Sequence, residues 1–154
     1  MTHYPESQKA LEYAEFTLEN SEYNLLGGFT LGTINRAFYS MFYCMNALLF
    51  TQNVHAKSQK WTLVKYEELF VKSGIMPKKT SNWERDAFNL RQEADYDFEA
   101  IITEEEAQIL VENAKEFYLI TKEYLAKLTW NIDFKEGKYF DEIDFSTPKN
   151  LNCH

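Results

Sequence analysis

The sequence predicts an all-α fold, an up-and-down bundle of four to five helices with a short irregular or hairpin C-terminal tail. Three observations predict it. Only 5 Gly and 3 Pro occur in 154 residues, too few for a turn-rich β domain. Apolar residues recur at helical spacing along most of the chain. The breaks between these stretches are short, which favours antiparallel neighbours.

The first helix is expected from Pro5 to Leu26. Pro5 suits a first helical turn, because its missing N–H has no intrahelical partner there. Leu11, Ala14, Leu18 and Leu25 form its inner stripe, with Phe16 and Tyr23 flanking, and Gly27-Gly28 stops it. A second helix is expected over Thr30 to Gln52. Ile34, Ala37, Phe38, Met41, Phe42, Met45, Leu48 and Leu49 give it a stripe wide enough for a central helix.

The third helix is expected over Ser58 to Lys72, with Trp61, Val64, Leu69 and Phe70 facing inward. Ser73-Gly74 ends it, and Pro77 prevents its continuation. A fourth starts near Thr80, runs through Trp83, Ala87, Phe88, Leu90 and Arg91, and loosens around Tyr96-Asp97-Phe98.

The fifth helix has the clearest start. Thr103-Glu104-Glu105-Glu106 is a capping box, and its three acids complement the helix dipole. Its stripe runs from Ala107 to about Leu128. Beyond it Trp130, Ile132 and Phe134 alternate with polar residues, Lys135-Glu136-Gly137-Lys138 is turn-like, and Phe140, Ile143 and Phe145 follow. This pattern predicts a hairpin or irregular tail that docks on the bundle or on a partner. The expected organisation is therefore a bundle over residues 1–128 and an extension over 129–154.

Composition excludes several classes. The chain is 45% hydrophobic and 16% aromatic, which excludes disorder. No apolar run approaches the roughly 20 residues of a membrane span. The first residues lack a charged and apolar leader pattern, and Cys44 and Cys153 make no disulfide framework, so a cytoplasmic protein with no membrane role is expected. His3, His55 and His154 share no ligand spacing, and no phosphate-loop or dinucleotide fingerprint occurs, so neither a metal nor a cofactor is expected.

The formal net charge is −8, but it is unevenly spread. Residues 55–80 hold six lysines against Glu67 and Glu68, a local +4. Residues 93–116 hold nine acids against Lys115, a local −8. Net charge therefore neither excludes RNA nor recommends it.

Two polar clusters interrupt the apolar pattern. Asn35-Arg36-Ala37-Phe38-Tyr39 lies in the second helix, with Asn35 and Tyr39 four apart, and Arg36, Tyr39 and Tyr43 at i, i+3 and i+7. It reads either as a structural hydrogen-bond network or as part of a binding site. Arg91-Gln92-Glu93-Ala94-Asp95-Tyr96-Asp97 closes the fourth helix. Arg91 either pairs with Asp95 across one turn or clamps a phosphodiester with its planar fork.

These residues carry a resemblance. Asn35-Arg36-Ala37-Phe38-Tyr39-Ser40-Met41-Phe42 resembles the N-R-A-Y-Y-A-M-F segment of the HEPN domain family. Glu68 to Gly74 resembles its E-x-F-V-K-T-G segment, Leu90 to Tyr96 its L-R-x-x-A-D-Y segment, and Ile102 to Ala107 its I-T-x-E-E-A helix start. The four blocks stand in order over about residues 5–128.

The resemblance implies a helical bundle and a role in a prokaryotic defence or toxin–antitoxin type system. It implies a homodimer binding RNA, a nucleotide or a partner minimal nucleotidyltransferase. The binding residues would be Asn35, Arg36, Tyr39, Arg91 and Tyr96. Many members are metal-independent ribonucleases with an Arg-x(4–6)-His motif, in which arginine steadies the phosphate and histidine assists the 2′-hydroxyl. Arg91 keeps the arginine position, but Tyr96 stands where the histidine would be. The alternative function is an RNA-cleaving toxin with a degenerate motif, its catalytic candidates being Arg91, Asp95 and Tyr96. Tyr96 is also a candidate target for nucleotidylation by a partner.

Overall fold

The computed structural model describes residues 4–135. Among them the chain forms α1 (Pro5–Leu26), α2 (Thr30–Phe50), α3 (Gln59–Tyr66), a π-helical turn (Glu67–Val71), α4 (Lys79–Tyr96) and α5 (Glu104–Lys135), with no strand. This is the expected all-α bundle.

Helix α2 is the central element and packs against α1, α3, α4 and α5. Ile34, Ala37, Phe38, Met41, Cys44, Met45, Ala47, Leu48 and Leu49 are fully buried on it. Its contact with α1 is the most extensive, and Ala10, Ala14 and Ser21 on α1 and Ala37 and Ser40 on α2 are small buried residues. Ser40 crosses the seam and donates to the Ala14 carbonyl at 2.8 Å. Other buried hydroxyls donate back along their own helices, Thr17 to Tyr13, Ser21 to Leu18 and Thr121 to Phe117, so burial leaves them satisfied.

The helix ends follow the local chemistry. Gly28 takes φ +78° between α1 and α2, a conformation that costs other residues a Cβ clash. Ser58 caps α3 by accepting from the Trp61 amide at 3.1 Å, and Thr103 caps α5 by accepting from the Glu106 amide at 3.1 Å.

Three expectations are corrected. The third helix is not uniform to Lys72, since it gives way to the π-helical turn, closed by the Lys72 amide donating to the Glu67 carbonyl at 2.8 Å. Its inner face is also different. Thr62, Tyr66 and Phe70 are buried, while Trp61 is 55% and Val64 40% exposed. A stripe with spacing of four sets the facing, and the spacing of three between Trp61 and Val64 falls on the solvent side. Lastly, α5 continues to Lys135, so the stretch from Trp130 to Phe134 is helix rather than the first strand of a hairpin. The rest of the expected tail, with Phe140, Ile143 and Phe145, lies outside the described residues, as do His3, Cys153 and His154.

No helix among the described residues is long and apolar enough to cross a membrane.

Candidate functional site

Arg91 sits where α2, α3 and α4 meet. Ala87, one turn earlier on α4, is buried, and Phe88 and Ala94 pack against the core, so the helix is phased to carry Arg91 toward α2. Its guanidinium carbon lies 5.0 Å from the Phe38 ring centroid and 5.3 Å from that of Tyr39. Both are cation–π distances. The Arg91 Nη1 donates to Gln59 Oε1 at 3.4 Å, and Gln59 Nε2 donates to the Tyr39 hydroxyl at 3.3 Å. One glutamine thus bridges the two sequence clusters.

The other edge of the guanidinium faces Asp95. Nε lies 3.6 Å from the carboxylate, an ion pair longer than a hydrogen bond. That Nε is shielded from solvent and makes no hydrogen bond. The Arg91 side chain is only 18% exposed, whereas that of Asp95 is 43% exposed. The arrangement is a cation held against aromatic faces, with part of its donor set unsatisfied. An incoming phosphate or carboxylate oxygen would meet the exposed part of the guanidinium fork, not the shielded Nε that faces Asp95.

Aromatic rings continue from this point. Tyr39 lies 6.3 Å from Tyr43, and Tyr43 lies 5.5 Å from Tyr13 on α1. They form a shelf from Arg91 across α2 to α1.

The expected residues separate into two groups. Tyr39, Arg91 and Asp95 come together. Asn35 and Arg36 are half-buried on α2, one turn before Tyr39. Tyr96, the last residue of α4, is 73% exposed. His55 is engaged elsewhere, 2.8 Å from the Glu6 carboxylate and stacked on Phe50. No group of three or more His, Cys, Asp or Glu among the described residues could hold a metal ion.

Sequence reading missed Gln59, which has no distinguishing pattern at the first turn of α3. It read Phe38 only as core, although its ring also carries the guanidinium. It also missed Glu84, which is 2% exposed with Oε2 lacking a hydrogen bond. Burial pushes the Glu84 carboxyl up to about 7, Arg85 draws it down, and Glu67 adds to the rise.

A groove of about 270 Å³ between α4 and α5 is lined in part by Asp86, Glu93, Glu106 and Leu90. It lies on the opposite side of α4 from Arg91, and its carboxylates would repel a phosphate. The Arg91 cluster is therefore the better anion site.

The HEPN domain model matches residues 7–124, a span that holds every residue of this cluster. The chain belongs to the HEPN domain family. Its relatives include a Methanocaldococcus jannaschii protein named "Putative toxin MJ0142", 36% identical over 120 residues, which are 78% of this chain and 82% of that protein. A second from the same organism, "Putative toxin MJ0605", is 29% identical over 73% of this chain and 83% of its own length. A Gloeobacter violaceus protein named UPF0332 protein glr0978 is 27% identical over 80% of this chain and 98% of its own length. Within this HEPN chain, Arg91 is followed by Tyr96, Asp97 and Phe98 at the spacings the family motif gives to histidine. The Asp95 carboxylate, not an imidazole, is the titratable group beside the guanidinium.

Proposed function

We propose that this HEPN chain is a binding module of a prokaryotic toxin–antitoxin or defence type system, and that it takes the phosphate of an RNA or nucleotide at Arg91. The observation that carries this reading is the state of Arg91. Its fork is held against Phe38 and Tyr39 and steadied by Gln59, and part of it stays exposed. A preordered guanidinium loses less entropy on gripping an oxyanion than a free one. Relatives bearing toxin names support the biological setting. In this reading the module is a cytoplasmic homodimer, Asn35 and Arg36 extend the site along α2, and a minimal nucleotidyltransferase is the protein partner. The exposure of Tyr96 suits a residue that such a partner would reach.

The second reading is RNA cleavage without a metal. The observation favouring it is Asp95, a partly exposed carboxylate within 3.6 Å of the Arg91 Nε. A base so placed would lie next to a phosphate that Arg91 held.

The test is a titration of labelled single-stranded RNA, followed by product analysis in EDTA, for wild type and Arg91→Ala. Binding without cleavage, weakened at least tenfold in the variant, is expected. Unchanged binding in Arg91→Ala would overturn the site. Cleavage that Arg91→Ala abolishes would replace the first reading with the second.

A further inference from the structure

The outer face of α3 collects positive charge in an acidic chain. Trp61, Val64 and Lys65 recur at i, i+3 and i+4, on the side away from the buried Thr62, Tyr66 and Phe70. Trp61 keeps 55% and Val64 40% of its surface in water. Lys57, Lys60 and Lys72 are exposed nearby in sequence, and the acid paired with Lys65 is Glu68, at 3.3 Å in an exposed and therefore weak contact. Trp61 stands two residues past Gln59, about 200° around the helix, so this face points away from the Arg91 site. An indole among lysines is a surface that an acidic, aromatic segment would cover.

The chain carries such a segment. Tyr139-Phe140-Asp141-Glu142-Ile143-Asp144-Phe145 sets three acids and no base among four apolar residues. It lies beyond the HEPN match, which ends at residue 124, so the family domain does not account for it.

Its point of departure suits the face. Tyr124 on α5 meets Phe70 just past α3, the ring centroids 6.2 Å apart. Lys135, the last described residue, is eleven residues further along α5, about 16 Å of helix. Phe140 is five residues past Lys135, a reach of about 17 Å, enough to return to the level of Phe70. Trp61 lies nine residues before Phe70, about 14 Å of helix, and Phe145 is five residues past Phe140, a reach of about 17 Å again. The segment is therefore long enough to run from the end of α5 back along α3.

We propose that residues 139–145 lie along the outer face of α3 of their own chain, with Phe140 near Val71 and Lys72, Phe145 over Trp61, and Asp141, Glu142 and Asp144 against Lys57, Lys60 and Lys65. The tether gives the segment an effective concentration of roughly millimolar, so modest contacts hold it and a separate protein must compete with it. The inference is independent of what Arg91 binds.

The experiment uses the full chain with Trp83→Phe and Trp130→Phe, which leaves Trp61 as the one indole. It reads acrylamide quenching and emission wavelength, with circular dichroism as the check on folding. Trp61 should be shielded. Phe140→Ser/Ile143→Ser/Phe145→Ser should raise the quenching constant about threefold and move the emission to the red. Asp141→Asn/Glu142→Gln/Asp144→Asn, or added salt, should raise it about twofold. The threefold difference should also appear, diluted, in the chain that keeps Trp83 and Trp130, and Trp61→Phe should abolish it there, which guards against a background that fails to fold. Equal quenching with and without the apolar tail residues overturns the proposal. Shielding that neither the acid substitutions nor salt relieves overturns it as well. Mixing then tells whose tail covers the face. The reporter chain with the three serines receives an excess of a chain carrying Trp61→Phe, Trp83→Phe, Trp130→Phe and the intact tail. Trp61 that stays open to quencher supports docking within one chain. Shielding restored by the second chain would assign the face to a neighbouring copy and overturn the proposal.

Discussion

The guanidinium of Arg91 is stacked 5.0 Å from the ring of Phe38, a side chain with no solvent exposure on the central helix. A cation in this position is fixed by the core. Its direction is set by α2 rather than by its own flexible stem, and Gln59 fixes the rotation of its fork. Geometry of this kind separates arginine from lysine. An ammonium at the same place would keep the charge but could not present a planar pair of donors.

Arg91→Lys should therefore weaken anion binding about tenfold while leaving the bundle folded. The cost to stability from losing the ring contacts should be about 1 kcal/mol. Isothermal titration with a short RNA and a thermal melt check both parts. Affinity equal to wild type would mean that only charge matters at this site.

The fold was largely legible because it rests on periodicity and caps. The Gly27-Gly28 stop, the Ser58 start and the Thr103 cap are local devices, and each acts where the pattern places it. What escaped is non-local. Nothing near Trp61 in sequence says that Thr62, Tyr66 and Phe70, not Trp61 and Val64, will meet the core, because that choice depends on how α3 lies against α2. The alternation of Trp130, Ile132 and Phe134 resembled a strand, yet the backbone of α5 carries straight through it. At the site, Tyr39, Arg91 and Asp95 were readable from spacing and residue type. Gln59 was not, since its role exists only once α3 brings it between two other helices.

Tyr66 supplies a stability prediction. Its hydroxyl lies 2.6 Å from the Thr80 hydroxyl, whose own proton goes to the Pro77 carbonyl at 2.7 Å. Tyr66 must then be the donor. Tyr66→Phe keeps the ring packing on Phe70 and Phe117 but leaves the Thr80 oxygen without that proton. The expected loss is about 1 kcal/mol, a fall of roughly 2–4 °C in melting temperature. An unchanged melt would show that the bond contributes nothing net.

Cys44 should be inert in the folded protein. It is fully buried, and burial pushes its thiol up to about 12, with a partial offset from the Thr121 hydroxyl. Thiolate is the reactive form, so both access and ionisation oppose attack. In a Cys153→Ser variant, Ellman's reagent at pH 8 should release no colour until denaturant is added, and then one equivalent of thiol. Rapid reaction of the native protein would mean that α2 opens locally far more often than its packing implies.

Glu84 makes stability depend on pH with a sign opposite to that of an ordinary paired carboxylate. Its carboxyl is raised from the usual 4.5 to about 7, first by burial, with Glu67 adding to the rise and Arg85 opposing it. Below about pH 4.5 both folded and unfolded chains hold the proton, and the group contributes no pH dependence. Between about 4.5 and 7 the folded chain holds a proton that the unfolded chain has released, so stability from this group falls as pH rises. Above 7 both forms are ionised and the loss is complete, on the order of 3 kcal/mol for a shift of this size. Glu84→Gln removes the titration. The melting temperature of the variant relative to wild type should therefore climb from pH 5 to pH 7.5 and level off above that. Parallel melting curves for the two proteins across this range would mean that the carboxylate is ionised in the fold at no cost, and that Arg85 compensates it fully.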